Sequence, residues 1–139
     1  HKNFNLNEVY FGLNDLSLSL GYKFMFRVLT ESILDEAIEY CNKNKIAFGI
    51  GGIGNFNSGK IPGKIILQEY KRLGASSTIV SRSLVSLYDK EKTLFFNDLN
   101  ALRTKWKNMD DKKNKLDLEK NFDLLKSLVV ELEQSLIPK

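Results

Sequence analysis

The chain has 139 residues, 42% of them hydrophobic, with 21 basic and 17 acidic side chains and a formal charge of +4. That length allows one modest domain with a hydrophobic core, and the apolar share argues against disorder. The lysines are scattered among acidic residues instead of clustering into a nucleic-acid footprint, and no run reaches the roughly 18 apolar residues of a membrane span, so neither nucleic acid nor membrane is expected as a partner.

In chain order, Glu8 to Gly12 (EVYFG) is predicted as a short strand leading into a turn at Leu13-Asn14-Asp15. Thr30 is the expected cap of a helix with an apolar face of Ile33, Leu34, Ala37, Ile38 and Cys41, ended by the polar cluster Asn42 to Lys45. Cys41, the single cysteine, excludes an internal disulfide and fits buried packing in a reducing compartment. No charged-then-apolar leader opens the chain, so the cytoplasm is the expected location. The first residue is His1 and not Met, which is read as the mark of a piece cut from something longer.

IAFGIG, from Ile46 onward, reads as a second strand. Beyond a glycine-rich loop, Pro62 suits a first helical turn, Ile65, Ile66, Tyr70 and Leu73 form an apolar face, and Gly74 is the expected stop. STIVS (Ser77 to Ser81) is the third predicted strand. Three β-α units in succession imply parallel strands joined by right-handed crossovers.

The rest of the chain is helical. Phe95, Leu99, Leu102, Trp106 and Met109 alternate at spacings of four and three, and Leu118, Phe122, Leu125, Val129, Leu132 and Leu136 continue that alternation. DDKKNK (Asp110 to Lys115) is a connector short enough to set two such helices side by side and antiparallel. The two seams either cover the chain's own strands or meet another subunit. Burying Leu, Phe or Trp is worth roughly 1.5–3 kcal/mol each and little sheet is available, so a homo-oligomer held largely by Phe95 to Leu136 is expected.

Residues 49 to 64, GIGGIGNFNSGKIPGK, hold two overlapping phosphate-binding patterns. Gly54, Gly59 and Lys60 spell most of a P-loop, but Ile61 stands where a magnesium-binding hydroxyl is needed and Pro62 and Gly63 follow where a helix should already run. Gly49, Gly51 and Gly54 spell a dinucleotide fingerprint, and GASSTIVSR (Gly74 to Arg82) resembles the second strand of NADP-dependent reductases. The polar stretch Asn55 to Gly63 separates those glycines from the next helix, which disfavours an NADP-binding domain but leaves it as an alternative. What remains is a long glycine-rich loop at the carboxyl end of a parallel strand, where barrels and open sheets build active sites.

EVYFGLNDLSLSLG (Glu8 to Gly21), followed by FGIGGIG, the spread I-P-x-x-I-I-L-x-E-x-x-R-L-G-A-S and IVSRS, resembles a branch of the pyruvate-dependent, metal-requiring aldolases grouped with the citrate lyase β-subunit. These belong to the phosphoenolpyruvate/pyruvate barrel superfamily. The resemblance covers about Glu8 to Ser83 and implies an α/β fold. Residues 1–88 would be the last β-α units of a (β/α)8 barrel, and 89–139 carboxy-terminal helices packing on the barrel or on a neighbouring subunit. It implies part of a carbon–carbon lyase acting on a pyruvate-like 2-oxo acid or acyl-CoA-type substrate through an enolate stabilised by magnesium or manganese.

Carried over by position, the resemblance makes Asp15 one of two metal-binding carboxylates, and Asn14 and Asp15 the residues whose backbone amides hold the substrate carboxylate. A turn-forming role for Asp15 beside Asn14 is the plainer reading. Arg82 would meet an anionic substrate group, or form an ion pair with Glu69 or Asp89. The departures are equally informative. The second metal carboxylate and the arginine that polarises the keto group lie, in the family, on strands absent here, and a closed barrel takes eight strands and about 250 residues. Leu18 stands where that branch often has histidine. Alone, these residues are not expected to catalyse aldol cleavage. A non-catalytic interaction fragment that keeps the motifs only as structure is the third reading.

Overall fold

A computed structural model of the protein describes residues 6–109 and 113–137. His1 and part of the connector Asp110 to Lys115 lie outside the described residues. The element order is β1 (Glu8–Gly12), α1 (Leu13–Ser19), α2 (Arg27–Thr30), α3 (Asp35–Lys43), β2 (Ala47–Gly51), α4 (Gly63–Leu73), α5 (Arg82–Lys90), α6 (Lys92–Asn108) and α7 (Lys115–Ser135). The described residues are thus mixed α/β and mostly helical, with two parallel strands in register from Glu8 against Ala47 to Gly12 against Gly51.

The predicted third strand is present only as a strip beside β2. Gly49 bridges to Ser77 and Ile53 to Val80, both parallel. The amide of Ser76 donates to the Phe48 carbonyl at 2.8 Å, and Ile53 N–H donates to Ile79 at 2.8 Å. Between these points the ladder does not run continuously, so the strip follows β2 without becoming a full strand.

Alternation along the strands sorts their side chains between two faces. Val9 and Phe11 line a hollow with Ile33, Ala37 and Cys41 of the α3 region, and Phe48 and Ile50 are buried. The opposite face carries Glu8, Tyr10 and Gly12 of β1, paired with Ala47, Gly49 and Gly51 of β2. Here Glu8, Tyr10 and Ala47 are exposed. The Tyr10 ring lies across β2, and a Cβ on Gly49 or Gly51 would run into it. The Ser77 hydroxyl donates to Glu8 at 2.9 Å. Parallel sheets ordinarily have both faces covered. Here the crossover helices cover one.

Two local expectations give way to tertiary context. The predicted turn at Leu13-Asn14-Asp15 is the first turn of α1, because Leu13 and Ser17, four residues apart, are both buried. Thr30 ends α2, its hydroxyl donating to the Arg27 carbonyl at 3.0 Å, while α3 starts at Asp35 after Leu34. Gly74 does stop α4, in the left-handed conformation at φ 87°.

The amphipathic seams pack onto the chain itself. Both α6 and α7 lie against α4, and α7 also meets α2. Leu102, Leu125 and Val129 share one hydrophobic cluster with Phe48, Ile66 and Tyr70, so the core runs without a break from the β-α units into the carboxy-terminal helices. Asn121 of α7 donates to the Ile65 carbonyl of α4 at 3.0 Å. No helix among the described residues is long and apolar enough to cross a membrane.

Candidate functional site

Parallel strands collect functional groups at their carboxyl ends, where the loops that follow converge. Three such segments leave the strands at this end: Gly12 to Asp15 after β1, Gly52 to Pro62 after β2, and Ser81 to Ser83 after the third strip. Asn14 and Asp15 are exposed in the first turn of α1. The Asp15 carboxylate leans back towards Gly12, and a Cβ there would sit in ordinary van der Waals contact, 3.5 Å from Oδ2. A carboxylate in the first helical turn is favoured by the helix dipole alone.

The loop after β2 is pinned from several sides. The Tyr70 hydroxyl of α4 donates to the Gly52 carbonyl at 2.9 Å. Burial pushes the Tyr70 phenol well above its usual range, which keeps its donor proton in place. Gly63 N–H donates to the Asn55 carbonyl at 2.7 Å, and Lys64 N–H to Phe56 at 3.1 Å. From α6, Asp98 accepts from Phe56 N–H at 3.1 Å and from the Asn55 amide at 3.3 Å. Sequence reasoning passed over Asp98, whose only mark was a carboxylate in the middle of an otherwise apolar seam.

This pinned loop and the third segment enclose a cavity of about 240 Å³. Phe24, Phe26, Ile61 and Ile66 supply its apolar wall. Gly52, Gly54, Ser58, Lys60, Ser81 and Ser83 supply the polar side. The Ser81 and Ser83 hydroxyls are hydrogen-bonded at 2.8 Å, and the Lys60 ammonium stands 5.9 Å from the centre of the Phe24 ring.

No family model, curated protein or solved structure matches the chain. The resemblance to metal-requiring aldolases therefore rests on sequence motifs.

Asn14, Asp15 and Arg82 are not brought together around the cavity; none is among its lining residues. Arg82 is exposed at the start of α5, between the two lining serines. Neither ion pair expected for it forms. Glu69 pairs instead with Arg72, through contacts of 2.7 and 2.8 Å, and Asp89 makes no salt bridge among the described residues.

Among the described residues, no group of three or more His, Cys, Asp or Glu side chains converges to hold a metal ion. Glu8 stands at the amino end of β1, while Asp15 follows its carboxyl end, and Glu8 is bonded to Ser77. Magnesium needs near-octahedral oxygen coordination. Asp15 offers one carboxylate, so these residues do not by themselves make a magnesium or manganese site.

The dinucleotide pattern resolves into two separate structural uses. Gly49 and Gly51 lie inside β2 beneath Tyr10, and Gly54 belongs to the pinned loop, with α4 beginning only at Gly63. No helix end follows the glycines to face a pyrophosphate, which is what the dinucleotide fold requires.

Proposed function

We propose that this chain forms the last β-α units of a (β/α)8 barrel, serving as part of a carbon–carbon lyase for a pyruvate-like 2-oxo acid or acyl substrate. The observation that carries the reading is the one-sided sheet: sequential parallel segments, crossover helices on one face, and Glu8, Tyr10 and Ala47 bare on the other. In a closed barrel that bare face is the interior, and the carboxyl ends of the strands form the mouth where chemistry is done. The remaining strands come from further polypeptide.

At that mouth, Asp15 would be one of two carboxylates on the magnesium or manganese ion, the other standing on a strand outside this chain. Asn14 and Asp15 would hold the substrate carboxylate by their amides, and Arg82, free of ion pairs among the described residues, would meet an anionic group of the substrate. The test is deuterium exchange of the pyruvate methyl protons, followed by NMR in the complete gene product with added magnesium or manganese. Asp15→Asn is expected to slow exchange at least tenfold, on the scale of about 1.4 kcal/mol per decade, with an unchanged melting temperature. Exchange that survives the substitution makes Asp15 a helix residue only and sinks the reading.

We also propose that copies of the chain associate through the carboxy-terminal helices. The seams are largely used up against α4, but Val85, Tyr88, Leu94 and Phe96 remain exposed on α5 and α6. Tyr88 and Phe96 both make edge contacts with Phe95, so the three rings form one cluster within this apolar patch.

A further inference from the structure

We propose that the cavity between the β2 loop and the third segment binds the phosphoryl group of a small phosphate monoester. This goes beyond the lyase reading and does not depend on it. Its starting point is Gly54, Gly59 and Lys60, whose P-loop-like spacing leads into no P-loop helix. All three nevertheless line one cavity, together with hydroxyls from a segment more than twenty residues further along.

The chemistry of the lining selects an anion. Lys60 is the single charged side chain among the lining residues, and no carboxylate is present to compete with a ligand. Ser58, Ser81 and Ser83 add hydroxyl donors. Gly54 sits so close to the last two that a Cβ on it would lie 3.5 Å from the Ser83 hydroxyl and 3.8 Å from that of Ser81. A tetrahedral oxyanion has enough acceptor oxygens to engage an ammonium and several hydroxyls at once, and hydrogen bonds to a charged partner are the strong ones.

The apolar part of the lining argues for an ester over free phosphate. Phe24, Phe26, Ile61 and Ile66 are all buried and line the same space. A volume of about 240 Å³ exceeds what one phosphate fills, and the apolar residues would cover a short carbon chain, each buried methylene tightening binding about fourfold. The site is also held in shape before any ligand arrives, because Tyr70 and Asp98 fix the loop at Gly52, Asn55 and Phe56. Pre-formed geometry of this kind lowers the ordering penalty of binding.

The test is titration of the intact chain with inorganic phosphate and with ethyl phosphate, followed by calorimetry and by the amide NMR signals of Gly52, Gly54 and Gly59. No metal is added and no turnover is read, so failure here leaves the lyase reading standing, and failure there leaves this one standing. Ethyl phosphate is expected to bind several-fold more tightly than inorganic phosphate. Lys60→Gln should weaken it about tenfold or more, since a hydrogen bond to a charged group is worth roughly 1.5–3 kcal/mol. Ser83→Ala should weaken it by a smaller factor. Both side chains are exposed, so neither change endangers the fold, and unchanged melting temperatures confirm that. No binding of either probe, or equal binding by wild type and Lys60→Gln, overturns the proposal. Equal affinity for the two probes assigns the pocket to free phosphate and overturns the monoester.

Discussion

Replacing Gly63 with alanine tests whether the β2 loop and α4 are joined by direct backbone contact. On helix propensity alone, Gly63→Ala should stabilise α4 by up to about 1 kcal/mol. The structure predicts the reverse. A Cβ on Gly63 would lie 2.6 Å from the Gly54 carbonyl oxygen and 2.7 Å from that of Asn55, inside the 3.0 Å that real Cβ atoms keep. Both obstacles are backbone atoms that cannot rotate aside. Relieving such overpacking costs about 1–3 kcal/mol, and moving the loop away also weakens the 2.7 Å bond from Gly63 N–H to Asn55, worth about 1 kcal/mol. After the propensity gain is subtracted, a net loss of about 1–3 kcal/mol is expected, or a melting temperature lower by roughly 3–10 °C for a domain of this size. Urea and thermal unfolding followed by circular dichroism measure it. Amide exchange at Asn55 and Phe56 should quicken in parallel. A variant as stable as wild type, or more so, would show that the loop does not rest on α4 and would remove the physical basis for the cavity beside it.

Tyr70→Phe keeps the ring but leaves the Gly52 carbonyl without its 2.9 Å donor; a loss of about 1–3 kcal/mol is expected in denaturant unfolding, and a neutral result would mean that water or another donor serves Gly52. Glu69 is fully buried beside Arg72, and burial raises its carboxyl above the ordinary 4.5, partly offset by Arg72. An acid with a raised pKa binds its proton more readily in the folded than in the unfolded chain, so its contribution is most favourable at low pH and is lost as pH rises through the raised value. Wild type should therefore lose unfolding free energy relative to Glu69→Gln as pH goes from about 4 to 7; a flat or rising difference would contradict the assignment. For association, light scattering on the intact chain is expected to give more than the monomer mass, and Phe96→Glu to restore the monomer; a stable monomer at tens of micromolar would refute the proposed association.

Much of the fold was written locally. Strand β1, the core of β2, the face of α4 and its stop at Gly74 followed from alternation, from helical spacing and from glycine's freedom at positive φ. Those features depend on neighbours in sequence, so the sequence shows them. The start of α1 did not follow, because Leu13-Asn14-Asp15 has turn chemistry and becomes helical only when Leu13 and Ser17 find a core to enter. Nor did the partner of the seams: spacing shows that Leu102, Leu125 and Val129 need cover, while only the fold sets α4 there to provide it.

The glycine run shows the same division at the candidate site. Its residues announced that backbone must come close to something, but spacing alone matched two phosphate motifs that the tertiary structure builds as neither. Tertiary packing laid the Tyr10 ring over Gly49 and Gly51, pressed Gly63 against two carbonyls, and put Lys60, Ser81 and Ser83 in the lining of one cavity. It also brought Asp98 from α6 to the loop amides and, among the described residues, gathered no group of three His, Cys, Asp or Glu side chains to hold a metal. Contacts between residues tens of positions apart leave no periodic trace in a chain, because each depends on where the helices bring those residues in space; the sequence determined the pieces and their faces, and the packing of those faces determined which side chains meet.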